Sequence, residues 1–250
     1  MPIGSSHTGR VAVVTGAAGG FGHAISCELA RRGADIVAVD LRQAEGVVTA
    51  VRDIGQKAVA VQADVSDPDQ VAAITPELLA FAGRVDILVN NAGVFPFRDI
   101  WELEFAEWKR IQAINLDSQF LMAKAVIGSM RDHGWGRMVN LASNSLGLSV
   151  PNMTPYMAAK GGVIGFTRAL ATDLAPHGIT VNAICPTASN TPGGQSFIGD
   201  DVLDMVAGMQ AIKRVGTAGD IVGTVCFLTG DDSAFLTGQT LVADGGLMRV

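Results

Sequence analysis

The chain has one tyrosine, three cysteines and four histidines among 250 residues, and only 17% of it is charged. Each scarcity excludes something. Cys27, Cys185 and Cys226 lie far apart with no C-x-x-C pair, which argues against a disulfide framework or a thiolate zinc site and for reduced thiols. His7, His23, His133 and His177 show no ligand spacing, so no metal is expected and each is read as a surface or capping residue. Lys plus Arg number 18 against 24 Asp plus Glu, a net charge of −6 without a basic block, so no nucleic-acid partner is expected. No apolar run approaches the roughly 20 residues of a membrane-spanning helix. Residues 1–10 read as a polar leader without the apolar core of a signal peptide. The expectation is a cytoplasmic protein with no membrane partner.

Hydrophobic residues make up 48% and glycines number 30, the balance of an enzyme with much buried sheet and many tight turns. The length suits one domain, residues 11–250. Strand-like and helix-like segments alternate along it. Strands are predicted at 11–15, 35–40, 57–64, 85–90, 137–143, 179–184 and 239–243, with helices between, including a long one over 104–131 broken near Asp117. This alternation predicts an α/β fold with a parallel, doubly wound sheet. Residues 187–200, rich in Ser, Thr, Gly and Pro, read as a loop.

The first strand runs into Gly16, Gly20 and Gly22, spaced G-x-x-x-G-x-G. A glycine turn between strand and helix offers backbone N–H groups and a positive helix end to a pyrophosphate, without a Cβ where the ligand approaches. Asp40 ends the second strand twenty residues beyond Gly20, where a carboxylate can accept from an adenosine ribose hydroxyl. Asp64 and Val65 end the third, within reach of an adenine. Asp40 would also repel a 2′-phosphate, and residues 16–22 hold no Lys or Arg to offset that. The coenzyme expected is therefore NAD, with Arg42 close enough to matter.

The lone tyrosine, Tyr156, stands four residues before Lys160, so a helix there puts phenol and ammonium on one face. Free tyrosine has a pKa near ~10, and a fixed cation favours the phenolate. Ser143, at the end of the fifth strand, could hydrogen-bond an oxygen shared with Tyr156.

Taken in order, Thr15-Gly16-x-x-x-Gly20-x-Gly22, Asn90-Asn91-Ala92-Gly93, Asn115, Ser143, Tyr156-x-x-x-Lys160 and Pro186 resemble the short-chain dehydrogenase/reductase family from about residue 10 to the C-terminus. The resemblance implies a single Rossmann-type domain with a seven-stranded parallel sheet. It implies Tyr156 as general acid/base and Ser143 as the group that polarises the substrate oxygen. Lys160 would bind the nicotinamide ribose and lower the tyrosine pKa, and Asn115 would hold a relay water. Asn91, Ala92 and Gly93 would line the adenosine side, Pro186 would border the nicotinamide, and Thr191 would bond its carboxamide. Asn140 and Asn182 read as structural. Three departures stand out: Thr187 follows Pro186 where glycine is usual, Ala142 replaces a common serine, and Phe21 replaces Ile or Leu as the apolar anchor of the glycine turn. Within the family, residues 142–172 resemble the pyridoxal 4-dehydrogenases. Residues 120–125, 134–137 and 237–246 resemble the 1-phenylethanol dehydrogenases.

The function expected is NAD-dependent hydride transfer between nicotinamide and an alcohol or carbonyl, with an uncharged aromatic secondary alcohol or its ketone as the small-molecule substrate. A pyridoxal-like alcohol or a non-catalytic dinucleotide sensor are the alternatives. Phe95, Pro96, Asn144, Ser145, Asn152, Met153, Thr187 and Phe197 are expected around the substrate with Ser143 and Tyr156. The resemblance implies a homotetramer, with the catalytic helix offering small residues to a neighbour and the C-terminal residues 247–250 at an interface.

Overall fold

The computed structural model describes residues 6–148, 150–191 and 199–248. Short β-branched runs fold as strands buried on both faces, because a parallel sheet is covered by helices above and below. They are β1 (Val11–Thr15), β2 (Asp35–Asp40), β3 (Ala58–Gln62), β4 (Ile87–Asn90), β5 (Gly136–Leu141) and β6 (Ile179–Pro186). Two two-residue strands follow, β7 (Ser189–Asn190) and β8 (Gly216–Thr217), and then β9 (Thr240–Ala243). Seven strands form one parallel sheet in the order β3-β2-β1-β4-β5-β6-β9. Val13 stands between Val37 of β2 and Leu88 of β4. The order reverses between β1 and β4, and that switch opens a crevice at the strands' carboxyl ends.

Alternation along each strand divides the core. Ala12 and Val14 of β1 face Ile25 and Leu29 of α1 (Gly20–Arg31), Val47 and Val51 of α2 (Glu45–Ile54) and Val225 of α8 (Gly219–Leu228). Val11 and Val13 face the other layer. There they meet Leu78 of α3 (Pro68–Ala80), Met122 and Val126 of α5 (Ser118–Asp132) and Leu174 of α6 (Thr154–Leu174). α4 (Phe105–Gln112) leads into α5, and α7 (Asp200–Met209) lies between β7 and β8 in sequence.

Three expectations are corrected. The break near Asp117 is not an interruption: residues Ala113–Asp117 form a π-helical turn joining α4 to α5. The stretch 187–200 contains β7, which pairs in parallel with β8. The third correction is His7, which is 1% exposed, not a surface residue. Its Nε2 is 2.9 Å from Thr229 Oγ1, and burial pushes its pKa down to about 4. Residues from Ser6 onward therefore pack on the domain: His7 N–H donates to Arg32 O, and the Arg10 guanidinium stacks 3.5 Å over Trp135.

Candidate active site

The glycine turn supplies one end of the site. Gly16 and Gly20 both adopt positive φ, +64° and +54°, the left-handed region that costs other residues strain. Gly19 precedes α1 without a side-chain cap, and the first turn of α1 carries no acidic residue. The helix's leading N–H groups thus remain available to an anion. Gly22 serves differently from the expectation that it makes room for a ligand. A Cβ there would stand 2.1 Å from Gly16 O and 2.7 Å from Asn91 Nδ2, so its bareness lets α1 close against its own turn. Gly22→Ala should destabilise the protein by about 1–3 kcal/mol or more through overpacking. Gly128→Ala in α5, where nothing lies within 4 Å, should stabilise it slightly. Urea denaturation of the two variants checks the contrast.

Asn91 braces this turn from just past the end of β4. Its Nδ2 donates to Thr15 O and Gly16 O, and the Asn91 and Ala92 N–H groups donate to Thr15 Oγ1. Asp40, 8% exposed, accepts from Ala18 N and Arg42 N, both at 2.9 Å. The exposed Arg42 guanidinium lies 3.7 Å from the same carboxylate. Asp64 turns into its own loop, accepting from Ser66 N and Oγ.

The chemical end is built where β5 stops and α6 starts. Ser143 caps a 3-10 turn, Asn144–Gly147, with its Oγ accepting from Ser145 N. Pro155 in the first turn of α6 presets the helix, and Tyr156 and Lys160 follow on successive turns. Tyr156 and Ser143 both face the cavity, and the Ser143 hydroxyl acts on the phenol. Lys160, 4% exposed, donates its Nζ to Leu141 O at 2.6 Å and lies 5.7 Å from the Tyr156 ring. The Phe95 ring meets Tyr156 edge-on at 6.4 Å. Asn115, fully buried in the π turn, bonds both backbone groups of Val94.

Burial sets the electrostatics. It pushes the Lys160 ammonium down to about 8. It also pushes the Tyr156 phenol above its ordinary value, with the Ser143 hydrogen bond acting the other way. A phenol lowered by the neighbouring cation was the expectation; here burial raises it instead, and the protonated phenol is favoured.

One cavity of about 720 Å³ joins the two ends. It is lined by Gly16, Gly20, Phe21, Asp40, Asp64, Val65, Asn91, Ala92, Gly93, Asn115, Ser143, Tyr156, Lys160, Pro186 and Thr191, and on the substrate side by Phe95, Met153 and Thr187. Gly22, Asn144 and Ser145 do not line it. The 3-10 turn after Ser143 carries the last two away: Asn144 Nδ2 donates to Asp244 Oδ2, and Ser145 Oγ to Ser143 Oγ. Pro96 and Asn152 are also outside it; Asn152 O accepts from Arg98 N instead. Phe197 lies outside the described residues. Sequence reasoning missed Val94 and Ile114, whose only signal was their adjacency to Gly93 and Asn115. Thr187, where glycine is usual in the resembled family, donates its Oγ1 to Gln210 Oε1 at 3.3 Å. Asn140 and Asn182 are structural, bonded to Asn90 and Thr167, and to Leu236 and Gln239.

Among the described residues no helix is long and apolar enough to cross a membrane. A family model described as Enoyl-(Acyl carrier protein) reductase matches residues 16–248. The chain is 38% identical to cis-4-hydroxycyclohexanecarboxylate dehydrogenase of Sinomonas cyclohexanicum, over 99% of this chain and 100% of that one. It is 35% identical to a 3-oxoacyl-(acyl-carrier-protein) reductase of Escherichia coli (strain K12), over 97% and 98%. Carveol dehydrogenase from Mycobacterium avium, solved in complex with NAD, superposes with a TM-score of 0.90 at 30% identity, over 97% of this chain and 99% of that one.

Proposed function

The chain belongs to the short-chain dehydrogenase/reductase family, and from that premise we propose that it transfers hydride between NAD and an uncharged, ring-bearing secondary alcohol or its ketone. The observation that carries this reading is the continuity of the cavity: glycine turn at one end, Ser143, Tyr156 and Lys160 at the other. The residues fit a nicotinamide coenzyme, since the uncapped start of α1 and the glycines at 19 and 20 suit a pyrophosphate and Asp40 suits a ribose diol. Asp64, Val65 and Asn91 to Gly93 border the adenosine, and Pro186 and Thr191 the nicotinamide. The coenzyme supplies the hydride acceptor or donor.

The chain's own groups handle the proton. Ser143 Oγ and the Tyr156 hydroxyl, both at the chemical end of the cavity, converge on one substrate oxygen. In reduction Tyr156 gives that oxygen its proton; in oxidation it takes the proton away. Lys160, fixed by the Leu141 carbonyl, holds positive charge beside the phenol and the ribose. Asn115 keeps the wall at Val94 in place, across Gly93 from Lys160.

Substrate polarity follows from what surrounds the reacting end. Among the described residues, the basic ones lining the cavity are Arg42, paired at Asp40, and Lys160, bonded to Leu141 O. Phe95, Met153 and Thr187 therefore face substrate without a cation. A carboxylate or phosphate on the substrate would stay unpaired there, at a cost of several kcal/mol, roughly 2–7 even for a neutral polar group. The two ring alcohols named for the relatives, hydroxycyclohexanecarboxylate and carveol, favour a ring on the carbinol; the first carries a carboxylate, and it is the lining here that argues for an uncharged one. Aryl carbinols of the 1-phenylethanol type are the first choice, and pyridoxal-like alcohols the second.

A panel of aryl, alicyclic, sugar and thioester substrates, followed by NADH absorbance, tests this. Oxidation of a neutral aryl or alicyclic carbinol is expected. Turnover of only a sugar or acyl thioester would contradict the pocket reading, and tight NAD binding without any turnover would favour a sensor. The proposal includes a homotetramer. Ala158, Gly161 and Gly165 of α6 are exposed and could receive a neighbour, whereas Ala159 is buried on its own sheet and Gly162 abuts Leu116. Of the C-terminal residues, Met248 packs at Gly147, while 249–250 lie outside the described residues. Light scattering at micromolar concentration decides it, a monomer being the contrary result.

A further inference from the structure

A helix that slips into π register for one turn gains a residue, and carbonyls at the slip lose the amides that would meet them in α register. Here the slip falls at Ala113–Asp117, and the Ser118 N–H reaches back five residues to the Ala113 carbonyl. Two side chains serve the neighbouring carbonyls. Ser118 Oγ donates to Ile114 O at 2.7 Å, and Gln119 Nε2 donates to Asn115 O at 3.2 Å. Gln119 is 1% exposed and does not line the cavity.

The Gln119 amide has one workable orientation. Its Oε1 is a buried atom with no protein partner among the described residues. Turning the amide over would set Oε1 against the Asn115 carbonyl, two acceptors facing each other. The side chain therefore forgoes an acceptor bond to keep its donor on Asn115.

What the register controls is the Asn115 side chain. Its Oδ1 accepts from Val94 N at 3.1 Å, and its Nδ2 donates to Val94 O and Ile111 O, both at 3.0 Å. One residue of slip turns a helical side chain by ~100° about the axis, enough to take Asn115 off Val94. Gly93 marks how near this is to the ammonium. A methyl group there would lie 2.8 Å from Asn115 Oδ1 and 3.6 Å from Lys160 Nζ.

We propose that Gln119 is a positioning residue for the proton-transfer site: its amide donor holds the π register that locks Asn115 onto Val94 beside Lys160. The proposal rests on the reading of Tyr156 and Lys160 as the proton path. It adds to that path a side chain buried behind the pocket wall.

Gln119→Met keeps length and burial but removes the donor. Amide hydrogen exchange in the coenzyme-free protein should then quicken at Val94 by roughly tenfold or more, with Val13 and Val89 in the sheet unchanged. Turnover of whichever alcohol the unmutated protein oxidises should fall by about tenfold, with KM within about threefold. Gln119→Glu should lose more at neutral pH and recover on acidification, because only the protonated carboxyl can donate to Asn115 O. Val94 exchange and turnover both within about twofold of normal in Gln119→Met would overturn the proposal. Exchange that quickens equally across the sheet would also overturn it, since that marks a merely structural role. If Gln119→Met does not fold, Ser118→Ala removes the companion bond, and unchanged Val94 exchange there overturns the proposal. A protein without alcohol oxidation defeats the functional reading, while the Val94 measurement still decides the register.

Discussion

Tyr156→Phe is expected to lower turnover by roughly 10²–10⁴ while NAD affinity changes little. The substitution keeps the ring and its edge contact with Phe95, and it deletes the chain's only phenol. What is lost is the proton partner of the substrate oxygen. Lys160→Ala should harm turnover and coenzyme binding together, because the ammonium serves ribose and phenol alike. The pH dependence follows from burial. With the phenol held above its usual pKa and Lys160 at about 8, the protonated acid dominates at neutral pH. Ketone reduction should therefore be fastest at neutral pH and decline on the alkaline side, while alcohol oxidation, which needs the phenolate, should rise there. Steady-state rates in both directions from pH 6 to about 10 check the sign. Near-normal turnover in Tyr156→Phe would place the chemistry elsewhere.

The second large effect concerns the coenzyme. The unmutated protein is expected to prefer NAD over NADP by at least about 100-fold in kcat/KM, some ~2.7 kcal/mol. The Asp40 carboxylate is buried at the cavity wall and fixed by the Ala18 and Arg42 N–H groups. It cannot swing away from a 2′-phosphate without losing both bonds. Asp40→Ala should shrink the preference by about tenfold or more, and Arg42, 72% exposed along its side chain, becomes free to meet the phosphate. NAD efficiency should also fall, since the ribose loses an acceptor and Ala18 loses its partner. Equal efficiency with both coenzymes in the unmutated protein would refute the assignment.

Strand positions were legible because β-branched runs such as Val11–Thr15 admit few other readings, and alternation fixed the parallel sheet. The reacting groups were legible because Tyr156 and Lys160 share a helical face. What escaped detection depends on local geometry that composition does not encode. Residues Ala113–Asp117 read as a break near Asp117 in a long helix; the chain instead continues through a π turn whose neighbouring carbonyls are met by the Ser118 and Gln119 side chains, a pairing that composition does not signal. β7 and β8 are two residues each, too short for a periodic signal. Asn144 and Ser145 were assigned to the pocket from their nearness to Ser143, yet the cap that Ser143 forms turns the chain away. Gly22 matched a ligand motif but serves helix packing. His7 sits in a stretch polar enough to read as a leader, and only its bonding near Thr229 reveals a docked segment.

The central claim, direct hydride transfer at a carbinol carbon with Tyr156 handling the proton, is tested most directly with 1-phenylethanol deuterated at the carbinol carbon. The account predicts one deuterium in the reduced NAD per ketone formed, and a primary isotope effect in single-turnover measurements. Ketone formation with the deuterium released to water, or coenzyme reduction carrying no deuterium, would contradict it.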